Sequence, residues 1–391
     1  MEPTIRPLAL LAALALCALL VVGPADARSR SSEAGRTPSA PIVKTKKIAP
    51  GLLYTKIVQR QVPRRTFVLK LDLSRAITLD TTIAEVALPA RKALSDIVRV
   101  HGALAGVNGD YGGLGDPVHP FAQDGELLHT TEALGTLFAV TRDESQALFG
   151  RPAVSVSLTD KTNGRVFTLD HWNEGPPAPG ELVGFSPLGG TLELPPAFAC
   201  SVRLLPQGDP RPADPDGVDR DFVVDAAACS ESAMARRGGI VISAAPATDE
   251  ATELLALVSG TPMRLHWSLG WANVFDAVGG APLLLLDGVR VGECNSGCGS
   301  QPRTGVGVTA SGKILLVVVD GRQPQWSLGP TATEFAQIMA DLGARTALNL
   351  DGGGSSEMVV EGEVVNRPSD GQERAISNAI LVLPGPDPDE P

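Results

Sequence analysis

Beyond its first 27 residues, this 391-residue sequence has no further long apolar run. Nothing in it approaches the ~20 consecutive apolar residues that a membrane helix needs. That absence predicts a mature chain without a membrane span. No paired Cys-x-x-Cys motif occurs and the five histidines are scattered, which argues against a structural zinc site. Lys/Arg clusters are missing apart from Lys44-Thr45-Lys46-Lys47, and the formal net charge is −11. Nucleic acid is not expected as a partner, because gripping a phosphate backbone takes a basic surface. A Gly-x-Ser-x-Gly elbow is absent, which disfavours a serine hydrolase of that type. No internal repeat is found either. A net-negative protein that handles phosphate must do so with a few local arginines and backbone amides.

What is present begins with an address. Arg6 precedes a 15-residue apolar run, Leu8 to Val22, and Ala25-Asp26-Ala27 supplies the small residues of a cleavage site. Residues 1–27 are therefore expected to be a signal peptide, and the mature chain to be secreted or periplasmic. Losing Cys17 leaves Cys200, Cys229, Cys294 and Cys298. An even count in an exported chain suggests two disulfides, read as Cys294–Cys298 and Cys200–Cys229. Residues 28–41 read as a flexible linker and 384–391 as a disordered tail. The span between, 42–383, holds one large domain or two smaller ones, with an inserted segment at about 150–260.

Most of that span has the pattern of short strands. Thr66–Leu73 alternates, as do Val154–Leu158 and Val166–Leu169 on either side of an Asn163-Gly164 turn. Pro206 to Arg220, dense in Pro, Asp and Gly, reads as a loop. Helices are predicted at Ala93–Leu104, Asp249–Val258 and Thr333–Leu342. In the last, Phe335, Ile338, Met339 and Leu342 make one apolar stripe, Thr331 or Thr333 can cap the start, and Gly343 suits the stop. The fold class expected is α+β, a mixed sheet core with few helices.

Before that helix runs the β-branched Ile314–Val319, and after it Thr346–Leu350. Strand, helix, strand predicts a C-terminal βαβ unit with parallel strands. Its strands would end in Asp320-Gly321-Arg322 and Asp351-Gly352-Gly353-Gly354, putting both aspartates on one sheet edge. If the strands are neighbours or one apart, the carboxylates lie roughly 5–10 Å apart, since strands are spaced ~4.8 Å. Carboxylates at that separation can serve as acid and base around a glycosidic bond. Three glycines in a row let backbone amides approach a ligand, and Ser355 and Ser356 add hydroxyls, as in a phosphate cradle without the P-loop lysine. A hairpin about Glu361-Gly362 would give this turn a rigid base.

Further polar clusters are Asn108-Gly109-Asp110-Tyr111, Arg303-Thr304-Gly305-Val306-Gly307-Val308, and Arg374 ahead of the final strand. Arginine can hold a phosphate through two donors at once. His266-Trp267 and Trp271 are either a sugar subsite or a packed aromatic cluster. Aspartates 110, 320 and 351 leave room for a divalent cation, although no cofactor is required.

Taken in order, Asn108–Tyr111, Val278-Gly279-Gly280-Ala281-Pro282, Arg303–Val308, Val319–Arg322, Ala347–Ser356 and Arg374 resemble the phosphodiester glycosidase family over about residues 95–383, most strongly from 278 onward. Ala281 stands where many relatives have glycine. The resemblance implies hydrolysis of a sugar-1-phosphodiester, releasing the sugar and leaving a phosphomonoester, with cell-surface or exopolysaccharide polymers as targets. It implies Asp110 and Asp351 as the catalytic pair. Arg303, Thr304, Arg374, Gly353, Gly354, Ser355 and Ser356 would hold phosphate, and Asn108, Asp320 and Arg322 would orient the sugar. The competing readings are a carbohydrate-binding envelope protein without catalysis and a metal-dependent phosphodiesterase.

Overall fold

A computed structural model describes residues 40–113, 115–130, 135–190, 199–229, 239–291 and 297–385. The expected signal peptide lies outside them, as do Cys294 and nearly all of the linker and tail, so the Cys294–Cys298 pairing is not described. Strands make up 47% of the described residues and helices 9%. That is the sheet-rich α+β fold anticipated from short alternating segments.

Four sheets carry the molecule. The first has eight antiparallel strands in the order Ile42–Ala49, Leu52–Gln59, Arg64–Leu71, Ile314–Val319, Arg303–Thr309, Ala344–Asn349, Leu283–Leu286, Val289–Arg290. A second orders Glu363–Val364, Met358–Val360, Ala105–Asn108, Asn378–Pro384 and Ile77–Ile83. A third is built on Val274–Gly280, and the fourth, of nine strands, comes entirely from Ser155–Ser268. The first three share a core: Phe67, Leu316 and Val318 of the first meet Val107 and Ile380 of the second and Phe121 and Phe138 of the third. Leu158, Phe222, Met263 and Trp267 of the nine-stranded sheet belong to a separate core, so Trp267 is a packing residue there.

Ile314–Val319 is buried along its whole length. Ile314, Leu316 and Val318 enter the shared core, while Leu315, Val317 and Val319 pack with Phe335 and Met339 of the helix Ala332–Asp341. Thr331 caps that helix in a full capping box with Glu334. The strands before and after this helix are not neighbours. Arg303–Thr309 lies between the two strands and pairs antiparallel with both. Its glycines explain how it fits beneath the helix: a Cβ on Gly305 would fall 2.8 Å from Phe335 Cε1, and one on Gly307 2.9 Å from Met339 Cε. With only hydrogens there, the strand slides under the apolar stripe.

Other expectations shift at their ends. Two of the helices are shorter, Leu94–Val100 and Asp249–Leu255, and the third, Ala332–Asp341, is shifted by one residue. Arg220 lies in the strand Val218–Cys229 rather than in a loop. Ser155–Asp160 and Val166–Leu169 pair antiparallel as anticipated, and Met358–Val360 pairs with Glu363–Val364 about Glu361-Gly362. Cys200 and Cys229 are cross-strand partners joined by a disulfide, as expected.

Candidate active site

Ile314–Val319 and Ala344–Asn349 run in the same direction on either side of Arg303–Thr309. Their ends therefore meet one edge of the sheet. Asn108, closing the strand Ala105–Asn108, clips the second sheet to that edge. Its Nδ2 donates to the Asp351 carbonyl at 2.8 Å, and its Oδ1 accepts from the Thr304 hydroxyl at 2.7 Å and the Glu357 amide at 3.1 Å. The Asp351 amide donates to the Gly109 carbonyl at 3.0 Å. Two aspartate-bearing turns, far apart in sequence, are thus laced together.

Between them opens a cleft of about 410 Å³, lined by Arg91, Asp110, Gly112, Asp351, Ser355 and Arg374 among others. Asp351 is half-buried, and burial holds its carboxyl above the usual range; the Ser355 hydroxyl and Gly352 amide pull it down, the Asp110 charge pushes it up and Arg374 opposes. The Gly352 amide reaches Oδ1 at 2.7 Å. The turn Gly353–Ser355 is a short 3₁₀ helix whose Gly353 has φ +64°, a conformation that a side chain would strain. Gly354 is packed directly against the Arg374 guanidinium and the Asp370 carboxylate. Arg374 donates to Asp370 Oδ2 through Nε at 2.9 Å and Nη2 at 2.6 Å, yet its side chain remains partly open to solvent.

Asp110 also borders this cleft, but its carboxylate is wholly buried. It accepts the Tyr111 amide at 2.7 Å and the His119 amide at 2.8 Å, and His119 Nδ1 lies 2.7 Å from Oδ1. The His119 ring is enclosed by Gly135 and Gly279, where no Cβ would fit. A buried Asp–His pair therefore backs the cleft. Sequence reading passed over His119 because nothing local marks it. Glu357 was missed as well. It is fully buried, its Oε1 accepts the Arg374 amide at 2.7 Å, and its Oε2 has no hydrogen-bond partner. Burial pushes its carboxyl up to about 8, against the pull of the Arg374 amide. Its position right after Ser355-Ser356 was the available clue.

Several anticipated site residues stand behind the wall instead of on it. Arg303 is buried and spends its donors on the carbonyls of Pro330 at 3.1 Å, Gly297 at 2.7 Å and Gly299 at 3.0 Å, with Asn349 Oδ1 at 3.4 Å. Burial lowers its pKa. Thr304 is buried against Asn108. Asp320 accepts the Trp326 indole N–H at 2.7 Å, the Asn366 side chain at 3.1 Å and the Arg367 amide at 3.0 Å, and burial raises its pKa. The Ser356 hydroxyl is buried without a partner. Arg322 is exposed, with its guanidinium beside Gly353. The Asp320 carboxylate is thus occupied by Trp326 of its own loop and by the segment Asn366-Arg367. Among the described residues no three His, Cys, Asp or Glu are arranged to hold a metal ion.

Residues 217–383 match the family model of phosphodiester glycosidases. That segment carries Asp320, Asp351, Glu357 and Arg374; Arg91, Asn108, Asp110 and His119 lie before it. The uncharacterised SPβ prophage-derived protein YomE of Bacillus subtilis (strain 168) is 40% identical over 82 residues, which is 21% of this chain and 13% of that protein. Among solved structures, a hypothetical protein from Synechocystis aligns with a TM-score of 0.65 at 21% identity, over 88% of this chain and 64% of that one. A Burkholderia pseudomallei K96243 protein named as exported gives 0.63 at 21% identity, over 90% and 99%. At such identity the likeness is one of fold. The zebrafish N-acetylglucosamine-1-phosphodiester α-N-acetylglucosaminidase catalytic domain, auto-inhibited by its pro-peptide, gives 0.44 at 14% identity, over 90% and 86%.

Proposed function

We propose, starting from the match of residues 217–383 to the phosphodiester glycosidases, that this protein is a hydrolase cleaving the glycosidic bond of a sugar-1-phosphodiester. The observation that carries the proposal is the pairing, in one cleft, of a half-buried carboxylate, Asp351, with the accessible guanidinium of Arg374 across a glycine turn. Arg374 takes the phosphate through charge-assisted bonds, with Arg91 also lining the cleft and Ser355 adding a hydroxyl. Asp351 stabilises or attacks the anomeric carbon as the glycosidic bond opens. Asp110, held by His119, completes the carboxylate pair and manages the proton. The departing phosphomonoester is a good leaving group, so little general-acid help is needed. Asn108, Arg303, Thr304 and Asp320 brace the site from behind.

The scheme draws on no cofactor. The substrate is a phosphodiester-linked sugar of a cell-surface or exopolysaccharide polymer, met after export through the N-terminal signal peptide, outside the cytoplasm. One experiment tests this: incubate the protein with a labelled sugar-1-phosphodiester, with and without EDTA, and identify the products. Free reducing sugar and a phosphomonoester in both arms are expected. A sugar phosphate lost on chelation would instead mean a metal-dependent phosphodiesterase. Binding without turnover would mean a carbohydrate-binding protein.

A further inference from the structure

The glycine turn has a second arginine. Arg374 packs against Gly354 on the cleft side, while on Gly353 a Cβ would fall 2.9 Å from Arg322 Nη2. Arg322 belongs to the loop that follows Ile314–Val319, and four residues further along this loop stands Trp326. Three cations crowd its indole: Arg65 Cζ 3.5 Å from the ring centroid, Arg367 Cζ 5.4 Å and Lys56 Nζ 5.9 Å. Lys56 and Arg65 are half-buried, and Arg322 and Arg367 are exposed.

Among the described residues none of these four forms an ion pair, whereas Lys46, Arg64, Lys92, Arg99 and Arg203 all do. The nearby carboxylate is Asp320, which is buried and already accepts the Trp326 indole N–H, the Asn366 side chain and the Arg367 backbone amide. In a chain of net charge −11, these four cations have no paired carboxylate among the described residues and repel one another; only neutral partners offset this, the Trp326 ring for Lys56, Arg65 and Arg367, the Trp326 carbonyl for Arg65 and Gln301 Oε1 for Arg322. An anion laid along them would remove that repulsion.

We propose that Arg322, Arg367, Lys56 and Arg65 around Trp326 form a second anion subsite, which takes a further phosphate of a polyanionic substrate whose scissile diester lies in the Asp351 cleft. The inference rests on the proposed function and narrows the substrate class. It selects a polymer with repeated phosphodiesters over an isolated sugar-1-phosphodiester. Arg322 bridges the two sites along the turn, and the cations behind it extend the grip to the next repeat.

The test compares the wild type with Lys56→Gln/Arg367→Gln on two substrates, a sugar-1-phosphate polymer and the methyl phosphodiester of the same sugar. The double variant is expected to raise KM for the polymer roughly tenfold, to flatten its salt dependence, and to leave kcat/KM for the methyl diester within about twofold. Equal polymer KM in variant and wild type overturns the subsite. Binding of linear inorganic polyphosphate, measured by calorimetry, separates this inference from the function it rests on. If neither substrate turns over but the variant binds polyphosphate about tenfold more weakly, the glycosidase reading falls and the anion subsite stands. If both proteins bind polyphosphate equally, the subsite falls whatever the turnover. Matching circular dichroism spectra and melting curves show that both proteins are folded.

Discussion

Two clefts in this molecule gather carboxylates, and they treat them differently. The larger, about 610 Å³, is bordered by Asp80, Asp124, Glu144 and Asp276 alongside Leu79, Val140 and Phe275. Burial, with the Asp80 charge adding to it, pushes both Asp276 and Glu144 up to about 7. The cations there are already committed to residues of the cleft itself: Arg142 stacks on Phe275 and Arg220 pairs with Glu126. In the smaller cleft, Asp351 shares its space with Arg374, Arg91 and Ser355. The larger cleft holds carboxyls near neutrality, and the smaller balances charge against charge. Under the proposed function volume is a poor guide, because a phosphate needs donors and positive charge more than it needs room.

The strongest way to break this comparison is to exchange the two acids. Asp351→Asn is expected to lower kcat/KM on a sugar-1-phosphodiester roughly 10³-fold, while Asp276→Asn stays within about twofold. A reversed outcome in steady-state assays would move the active site to the other cleft. Next in size is Arg374→Ala, which should cost roughly 10- to 100-fold in kcat/KM, mostly through KM, as expected for losing hydrogen bonds to a charged group.

The larger cleft answers to pH through stability rather than rate. Asp276 and Glu144 hold their protons in the folded chain up to about 7, above their ordinary values of 3.8 and 4.5. The folded state therefore binds more protons in that window, and their contribution to stability declines as pH rises from about 4 through about 7. Melting temperatures should fall between pH 5 and pH 8, and fall less in Asp276→Asn; identical slopes would contradict the buried-acid account. The smallest effect is reserved for Glu357. Raised from 4.5 to about 8, it is neutral at pH 7, so Glu357→Gln should keep activity there within about threefold. The wild type's melting temperature should fall relative to Glu357→Gln as pH rises from about 4.5 through about 8 and level off above that, and a melt series over that range checks it.

Local physics made part of this protein legible in its sequence. Period-two alternation marked Val166–Leu169, and the apolar stripe with its Thr331 cap marked the last helix. The run of three glycines after Asp351 marked a turn too costly in backbone entropy to be idle. Each of those signals lies within a few residues of what it specifies. Strand order does not, and so nothing local to Ile314–Val319 or Ala344–Asn349 shows that Arg303–Thr309 lies between them. Its two glycines hinted at close packing, but only the helix across from them shows why. Residue roles followed the same divide. Arg303 and Asp320 looked like ligand-binding side chains until tertiary contacts occupied their donors and acceptors. His119 and Glu357 had no mark at all until folding placed one behind Asp110 and the other beneath Arg374. Turns, caps and alternation are set by neighbours along the chain. Burial, charge balance and the choice between two acidic clefts depend on segments hundreds of residues apart, and only the packed sheets bring those together.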